Sequence, residues 1–125
     1  MRAAAAVAAA LATLWAGACS DERASTEPGT VPDGAAVYEQ SCASCHGSDL
    51  RGTDKGPSHL SQVYEPNHHG DAAFRAAIVD GSPAHHWDFG DMPPVEGLSD
   101  SEVDAVIAYV RQQQQERGFE PYPPS

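Results

Sequence analysis

The stretch Cys42-Ala43-Ser44-Cys45-His46 holds two cysteines that are separated by two residues and followed directly by a histidine. This spacing is the attachment signature of c-type haem. Each cysteine sulfur can add to one of the two vinyl groups on one edge of the porphyrin, and the next residue then presents its imidazole to the iron. The pattern predicts one covalent haem on Cys42 and Cys45, with His46 as the first axial ligand of the iron.

Two other interpretations of this cysteine pair fit the sequence less well. A structural zinc site usually has four protein ligands, and no second Cys-x-x-Cys pair follows the first. A thioredoxin-like redox pair belongs near a βαβ pattern, and the sequence around residues 42–45 has no such pattern. The sequence therefore favours haem attachment over a zinc site or a redox-active cysteine pair.

The chain is acidic. It has 125 residues, of which seven are basic and 18 are acidic, and its formal net charge is −11 at pH 7. This length allows one small domain. An acidic surface argues against nucleic-acid binding and favours basic protein partners, although the same acidity also serves plain solubility.

Residues 1–18 have the layout of a secretory signal peptide. A basic Arg2 precedes an apolar, alanine-rich run that ends in small residues directly before Cys19. The run is too short and too rich in alanine to predict a membrane span. A cysteine after small residues resembles the bacterial lipoprotein signal, which implies a lipid on Cys19 and an extracytoplasmic protein anchored to a bacterial membrane. The alternative is an ordinary signal peptide cut nearby, with Cys19 left as a free thiol.

Residues 19–32 are predicted to form a flexible, lipid-anchored tether. They are polar, contain prolines and glycine, and show no hydrophobic periodicity, so they cannot bury enough apolar surface to fold alone. A flexible stretch of this length has a typical reach of roughly 20 Å. The folded domain is predicted at residues 33–118, and residues 119–125 are predicted to be a proline-rich tail.

Three helices are predicted in the folded domain. Asp33 is suited to cap a first helix that runs from residue 34 to about residue 44. A shorter middle helix is predicted over residues 71–80, where Gly81 suits its C-terminal end. The last helix begins with a capping box at Ser99 and then shows apolar residues at helical spacing, with a solvated run of glutamines near its end.

The segment 47–60 is predicted to be a loop because it is rich in glycine and contains Pro57. A histidine that binds a metal usually donates its other ring N–H to a carbonyl or a carboxylate. The turn at Pro57 lies at a suitable distance along the chain to supply that carbonyl to His46. Leu50 and Leu60 are candidates for packing against the haem edge.

Taken together, residues 33–117 resemble a single-haem class I cytochrome c. The resemblance implies an all-α fold in which the N-terminal and C-terminal helices cross, with loops and a shorter middle helix wrapped around one covalent haem. It also implies that the helices cross at Gly34 against Tyr109. The matching positions are Gly34, Tyr38, Cys42, Cys45, His46, Gly56-Pro57, Met92-Pro93, Val106 and Tyr109.

The resemblance also implies the ligands of the iron. The family's first ligand maps to His46, and the proline carbonyl that orients it maps to Pro57. The family's second ligand is a methionine just before the last helix, which maps to Met92. A thioether ligand favours reduced iron and raises its potential. The alternatives are that Met92 only fills a gap in the core, or that the second ligand is a histidine, namely His59, His68, His69, His85 or His86.

The sequence departs from the family at one position. The family often has a leucine two residues after this proline, whereas here His59 takes that position and Leu60 follows, so a shift of register in the loop is expected. The pairs His68-His69 and His85-His86 are compatible with a surface metal site, for example for copper. Adjacent histidines in a flexible loop are more often exposed polar residues.

The function predicted from these features is one-electron transfer rather than enzymatic catalysis. The iron held by His46 and Met92 would exchange electrons in an extracytoplasmic transport chain, with partners such as a terminal oxidase, a dehydrogenase or a quinol-oxidising complex. The protein would be a monomer or the subunit of a complex. Two alternatives stay open: a haem subunit of a larger oxidoreductase, and a peroxidase or gas-sensing cytochrome in which Met92 is not a stable ligand.

Overall fold

The computed structural model describes residues 30–121, and within this range the chain is helical, without extended strands. The all-α fold is therefore confirmed. The predicted signal peptide, Cys19, most of the tether and residues 122–125 lie outside the described residues. The elements are α1 (Gly34–Ser41), α2 (Ala43–His46), a 3₁₀ helix (Gln62–Tyr64) that was not predicted, α3 (Asp71–Asp80) and α4 (Asp100–Arg117).

Helix α1 begins where predicted but ends early. The Asp33 carboxylate accepts hydrogen bonds from the backbone N–H groups of Ala35 and Ala36, at 3.0 and 3.4 Å. The helix stops at Ser41 instead of continuing to residue 44, because Cys42 has φ −122° and ψ −37° and breaks the helical path. The break turns the haem-attachment motif onto a separate helical turn, α2.

A buried hydroxyl holds α2 against α1. The Tyr38 side chain is 1% exposed, and its hydroxyl donates to the carbonyl oxygen of Gly47 at 3.0 Å. This bond folds the end of α2 back over the helix that precedes it. Ala43 and His46 of the motif are buried as a result, whereas Ser44 and Cys45 stay exposed.

Helices α1 and α4 cross closely at Gly34. A Cβ atom at Gly34 would overlap the carbonyl oxygen of Ala105 and would lie 2.9 Å from Cβ of Tyr109. The rings of Tyr38 and Tyr109 pack beside the crossing, with centroids 5.5 Å apart. Only glycine allows the two backbones to come this near. The crossing of the N-terminal and C-terminal helices is as predicted.

Helix α4 begins with the predicted capping box, in which both the Ser99 and the Glu102 hydrogen bonds are present. The prediction that its glutamines are solvated is wrong for Gln114, which is 3% exposed. Its side-chain amide donates to the carbonyl oxygen of His59 at 2.7 Å. The buried stripe of α4 continues one turn past Val110 and carries Gln114 inward. The buried residues of α4 are Val103, Val106, Ile107, Val110 and Gln114.

Helix α3 has the predicted bounds, and Gly81 ends it with a φ of +81°. Phe74 and Ile78 lie four residues apart on α3, and both are buried. They join residues of α1, α4 and the loop 47–60 in one core. The core residues are Val37, Tyr38, Ala43, Leu50, Leu60, Phe74, Ile78, Val103, Val106, Ile107 and Val110.

Glu120, in the predicted tail at residues 119–125, is bound to the folded domain. The backbone N–H of Glu120 donates to the carbonyl oxygen of Leu60 at 2.7 Å, and the N–H of Gln62 donates to the carbonyl oxygen of Glu120 at 2.8 Å. The Glu120 carboxylate also pairs with Arg51 at 3.0 Å. The folded domain thus extends to Glu120, two residues beyond its predicted end at residue 118.

Arg111 of α4 fastens the segment that leads into α3. Its guanidinium donates to the carbonyl oxygens of Tyr64 and His69, each at 2.6 Å. It also pairs with the Asp71 carboxylate at 2.7 Å and lies 4.6 Å from the centre of the Phe74 ring. Only arginine has a planar guanidinium whose N–H groups donate in several fixed directions at once. These partners of Arg111 lie far from it along the chain and were not predicted.

We expect Arg111→Lys to lower the free energy of unfolding by about 2 kcal/mol, because an ammonium group has only three donors and cannot replace the four hydrogen bonds that the guanidinium makes to Tyr64, Gln114, His69 and Asp71. Urea unfolding of the haem-loaded protein measures the change. Arg75→Lys is the matched control, since Arg75 pairs with the exposed carboxylates of Asp100 and Asp104 and should change stability by less than about 1 kcal/mol. Equal losses in the two variants would contradict the role given to Arg111.

Candidate functional site

A cavity of about 560 Å³ lies among α2, α3, α4 and the loop before α4. Its volume falls within the range of roughly 300–1,000 Å³ that is usual for ligand pockets. Cys42, Cys45, His46 and Met92 all line it. The structure thus brings the two predicted attachment residues and the two predicted iron ligands, which lie up to 50 positions apart in the sequence, to one cavity.

The walls of the cavity are mainly apolar, with contributions from Phe74, Ile78, Val106, Ile107 and Val110. Such walls exclude water from a bound group and lower the local dielectric constant. Leu50 and Leu60 were predicted to pack against the haem edge, and this prediction is wrong. Both are fully buried but pack into the core, and neither lines the cavity.

His46 is held in a defined orientation. Its Nδ1 lies 2.9 Å from the carbonyl oxygen of Pro57. Because a carbonyl only accepts, Nδ1 carries the proton and the lone pair is on Nε2. Burial lowers the pKa of His46, although the bond to Pro57 opposes the shift. The neutral imidazole is the form that binds a metal.

The loop 47–60 wraps closely around the attachment motif. A Cβ atom at Gly56 would lie 3.0 Å from the carbonyl oxygen of Cys45 and 3.3 Å from Cε1 of His46. The Thr53 hydroxyl donates to the carbonyl oxygen of Cys45 at 2.7 Å. Gly56 therefore lets the loop approach near enough for the Pro57 carbonyl to reach the imidazole.

The two cysteines differ in exposure but are both available for attachment. Cys42 is half-buried, Cys45 is exposed, and neither forms a disulfide within the described part of the chain. Burial, together with the neighbouring Cys45 sulfur, raises the pKa of the Cys42 thiol to about 11. The position of Cys42 thus favours an uncharged sulfur, and the thioether of a c-type haem is uncharged.

His59 lies directly beside His46. The two rings stack with centroids 4.0 Å apart and planes 18° apart, and the Tyr38 hydroxyl lies 3.3 Å from Nδ1 of His59. Burial holds the pKa of the His59 imidazole well below its usual range. The residue two after Pro57 therefore faces the cavity itself, and the expected register shift is not observed.

Met92 occupies a firmly held position in the loop between α3 and α4. Its backbone exchanges two hydrogen bonds with Ser82, at 2.9 and 2.8 Å. A Cβ atom at Gly81 would lie 2.7 Å from the carbonyl oxygen of Met92. The N–H of Val95 donates to the carbonyl oxygen of Ile78 at 2.8 Å. The end of α3 thus fixes the backbone on both sides of the methionine.

Aromatic side chains close one side of the cavity. The Trp87 and Tyr64 rings stack with centroids 5.7 Å apart, and both line the cavity together with His69, His85 and His86. Phe89, in the same loop, is 43% exposed. His68 does not line the cavity.

Two residues that shape the site were not predicted to do so. His59 was considered as a departure from a family pattern and as an alternative iron ligand, but its stacking on His46 was not predicted and depends on how the loop folds back. Gln114 anchors the His59 carbonyl from α4. It lies four residues after Val110, so the helical period of the buried stripe is a signal that indicates its inward position.

The comparison with known protein families agrees with this geometry. A family model described as "Cytochrome c" matches residues 31–114, which is more than half of the chain. The matched region runs from the start of α1 into α4 and includes the attachment cysteines Cys42 and Cys45 and the ligand candidates His46 and Met92. No individually curated protein is similar enough in sequence to count as a match. Among the described residues, no helix combines the length and the apolar character needed to cross a membrane.

The residues present fit the group that this family carries. Two cysteine sulfurs at the edge of the cavity, a neutral imidazole with its lone pair on Nε2 and apolar walls meet the needs of a covalent haem. Members of this family transfer electrons and are typically extracytoplasmic. The chain therefore belongs to the cytochrome c family, as a haem-based electron carrier with one c-type haem attached through Cys42 and Cys45.

Proposed function

We propose that this protein is a one-electron carrier whose haem iron is held by His46 and Met92, and that it works in an extracytoplasmic electron-transport chain. The observation that carries the proposal is the single cavity lined by both attachment cysteines and both ligand candidates. When bound, the haem supplies an iron that changes between ferric and ferrous states by one electron.

The surroundings of Met92 support its role as the second ligand. It is the only methionine besides Met1, and it lines the cavity from a backbone segment that two hydrogen bonds fix to Ser82. A methionine that only filled a core gap would pack inside the core cluster, and Met92 is not part of that cluster.

The geometry weighs against four of the five histidine alternatives for the second ligand, namely His59, His68, His69 and His86. The His59 ring stacks on the His46 ring, so both imidazoles would approach a bound haem from the same side, whereas a second iron ligand would have to come from the other side. His68 lies outside the cavity lining. His69 and His86 direct their Nε2 atoms toward each other, 3.0 Å apart.

The chain's own work is to hold the two ligands and exclude water. Pro57 keeps the His46 imidazole in one tautomer and orientation. The apolar side chains of α3 and α4 keep the dielectric constant low around the cofactor. Two neutral ligands that stay in place in both oxidation states require little rearrangement when an electron moves, and they leave no iron position for a substrate.

A redox titration tests this function. We expect the haem absorbance of the purified protein to follow one reversible transition with a slope of one electron, and we expect no turnover when peroxide is added with an electron donor. A hysteretic titration or a sustained peroxidase rate would instead favour an enzymatic cytochrome.

The acidic surface supports basic redox partners. With 18 acidic and seven basic residues, the protein is suited to brief encounters with a terminal oxidase, a dehydrogenase or a quinol-oxidising complex through a small interface. We expect the rate of electron exchange with such a partner to fall as ionic strength rises, because salt screens the attraction. Stopped-flow rates at a series of salt concentrations measure this. A rate that is independent of salt would contradict electrostatic docking.

We further propose that a lipid on Cys19 anchors the protein to a membrane. Cys19→Ser should move most of the protein from the membrane fraction to the soluble fraction, since it removes the sulfur that carries the lipid. Fractionation followed by haem staining measures the distribution, and Ser20→Ala is the control that should stay with the membrane. Retention of the Cys19 variant in the membrane fraction would contradict the anchor.

A further inference from the structure

Three histidines from two separate segments converge at the edge of the haem cavity. The Nε2 atom of His86 lies 3.2 Å from Nε2 of His68 and 3.0 Å from Nε2 of His69. One potential ligand atom from each of the three lies within 4.8 Å of the others. We propose that this three-histidine cluster, His68, His69 and His86, binds one divalent transition-metal ion of the zinc and copper class.

Hydrogen bonding alone does not account for the arrangement. The Nε2 atom of a neutral imidazole offers either one N–H or one lone pair. A single nitrogen of His86 therefore cannot make a full hydrogen bond to two other ring nitrogens at once. A metal ion resolves the conflict, because it accepts a lone pair from every nitrogen.

The spacing suits such an ion. Zinc binds histidine nitrogens at about 2.0–2.1 Å, so two nitrogens of a tetrahedral site lie about 3.3 Å apart. The two short separations in the cluster, 3.0 and 3.2 Å, need only a small adjustment to reach this value. Three protein ligands also leave a fourth position for water or another small ligand.

The donor set selects the class of metal. All three donors are imidazoles, which suit zinc, copper and nickel, whereas calcium and magnesium prefer oxygen ligands. His68 is exposed and the other two are half-buried, so an ion can reach the cluster from solution. The strongly acidic chain also attracts cations.

Both backbone segments that carry the cluster are held in place. The N–H groups of His68 and His69 both donate to the carbonyl oxygen of Glu65 at 2.9 Å, and Arg111 binds the His69 carbonyl. The loop that carries His86 is closed by the bonds between Ser82 and Met92 and by the bond from the Ala84 N–H to the Asp91 carboxylate at 2.9 Å.

Metal binding would link these segments. An ion held by the cluster ties the loop 82–92 to the turn 65–70, and Met92 is the last residue of that loop. This part of the inference rests on the proposed function: the ion stabilises the loop and thereby the bond between Met92 and iron. By linkage, the metal-bound protein should resist displacement of Met92.

Zinc titration of the haem-loaded protein tests the site. After treatment with a chelator, we expect calorimetry to show one zinc ion bound per haem. His68→Ala should weaken binding more than about 100-fold, which is the upper end of what loss of an outer-shell partner costs. His85→Ala is the matched control, because His85 directs Nδ1 to the Pro83 carbonyl at 2.7 Å and lies outside the cluster.

Three results would overturn the metal site. One is the absence of stoichiometric zinc binding, and another is unchanged binding in His68→Ala. The third is an equal loss in His68→Ala and His85→Ala, which would indicate diffuse binding by a histidine-rich surface. Copper(II) provides a second readout, since its paramagnetic resonance spectrum should show several coordinated nitrogens in the wild type and fewer in His68→Ala.

The readouts separate this site from the proposed function. Zinc binding is measured by titration calorimetry. Ligation by Met92 is measured by the weak long-wavelength absorption band of the methionine–ferric iron bond. Zinc binding without that band supports the metal site and contradicts the proposed ligation. For the link between them, zinc should weaken the equilibrium displacement of Met92 by nitric oxide, which binds haem iron but not zinc, about tenfold in the wild type and not in His68→Ala. Equal nitric oxide affinities with and without zinc would overturn the link.

Discussion

Met92→Ala is expected to keep the covalent haem and to lower its reduction potential by on the order of 100 mV or more, within the range of about 0.8 V over which axial ligands set haem potentials. The fall follows because the neutral thioether stabilises the ferrous state, and alanine offers no donor to replace it. The vacated position should also bind carbon monoxide in the reduced protein.

The matched control for this variant is Phe89→Ala. Phe89 lies in the same loop but is 43% exposed and does not line the cavity, so its loss should change the potential by only a small fraction of the Met92 effect. Spectroelectrochemistry with and without carbon monoxide measures both variants. An unchanged spectrum and potential in Met92→Ala would contradict the assignment of this residue to the iron.

Gly34→Ala is expected to lower the free energy of unfolding by at least about 2 kcal/mol. Alanine is the better helix former by about 1 kcal/mol, yet its Cβ would overlap the Ala105 carbonyl oxygen and lie 2.9 Å from the Tyr109 side chain. Backbone atoms cannot move aside as the end of a flexible side chain can, so the helices must separate. Overpacking of this kind typically costs about 1–3 kcal/mol and sometimes more.

Thermal unfolding of the haem-loaded protein measures this effect, which should appear as a fall in Tm of about 10 °C for a domain of this size. Ala36→Ser is the control on the same helix, because Ala36 is exposed and the change should stay within about 0.5 kcal/mol. If Gly34→Ala were as stable as the wild type, the close crossing of α1 and α4 would be wrong.

Helix ends that depend on a few neighbouring residues could be predicted from the sequence. The Asp33 cap, the Ser99 capping box and the end of α3 at Gly81 each depend on residues within one helical turn, and the structure has all three. The haem-attachment motif is also local. The meeting of Met92 with the motif in one cavity was implied by the family resemblance rather than by local pattern.

Features that depend on distant contacts were not predictable. The break at Cys42 accompanies a hydrogen bond between Tyr38 and Gly47, which forms only when α2 folds back over α1. His59 stacks on His46 because the loop 47–60 folds back until the Pro57 carbonyl oxygen accepts a hydrogen bond from the His46 imidazole. Arg111 holds the segment that carries His69 through contacts that lie 42 and 47 residues away along the chain. No periodicity in the sequence marks such contacts.

The absorption spectrum of the haem-loaded protein, oxidised and reduced, with and without carbon monoxide, tests the central claim most directly. A six-coordinate iron bound by His46 and Met92 predicts a low-spin spectrum, a weak long-wavelength band in the ferric state and no change on addition of carbon monoxide. A high-spin spectrum, or ready binding of carbon monoxide, would contradict the account, because the iron would then have an open position suited to a ligand-binding cytochrome.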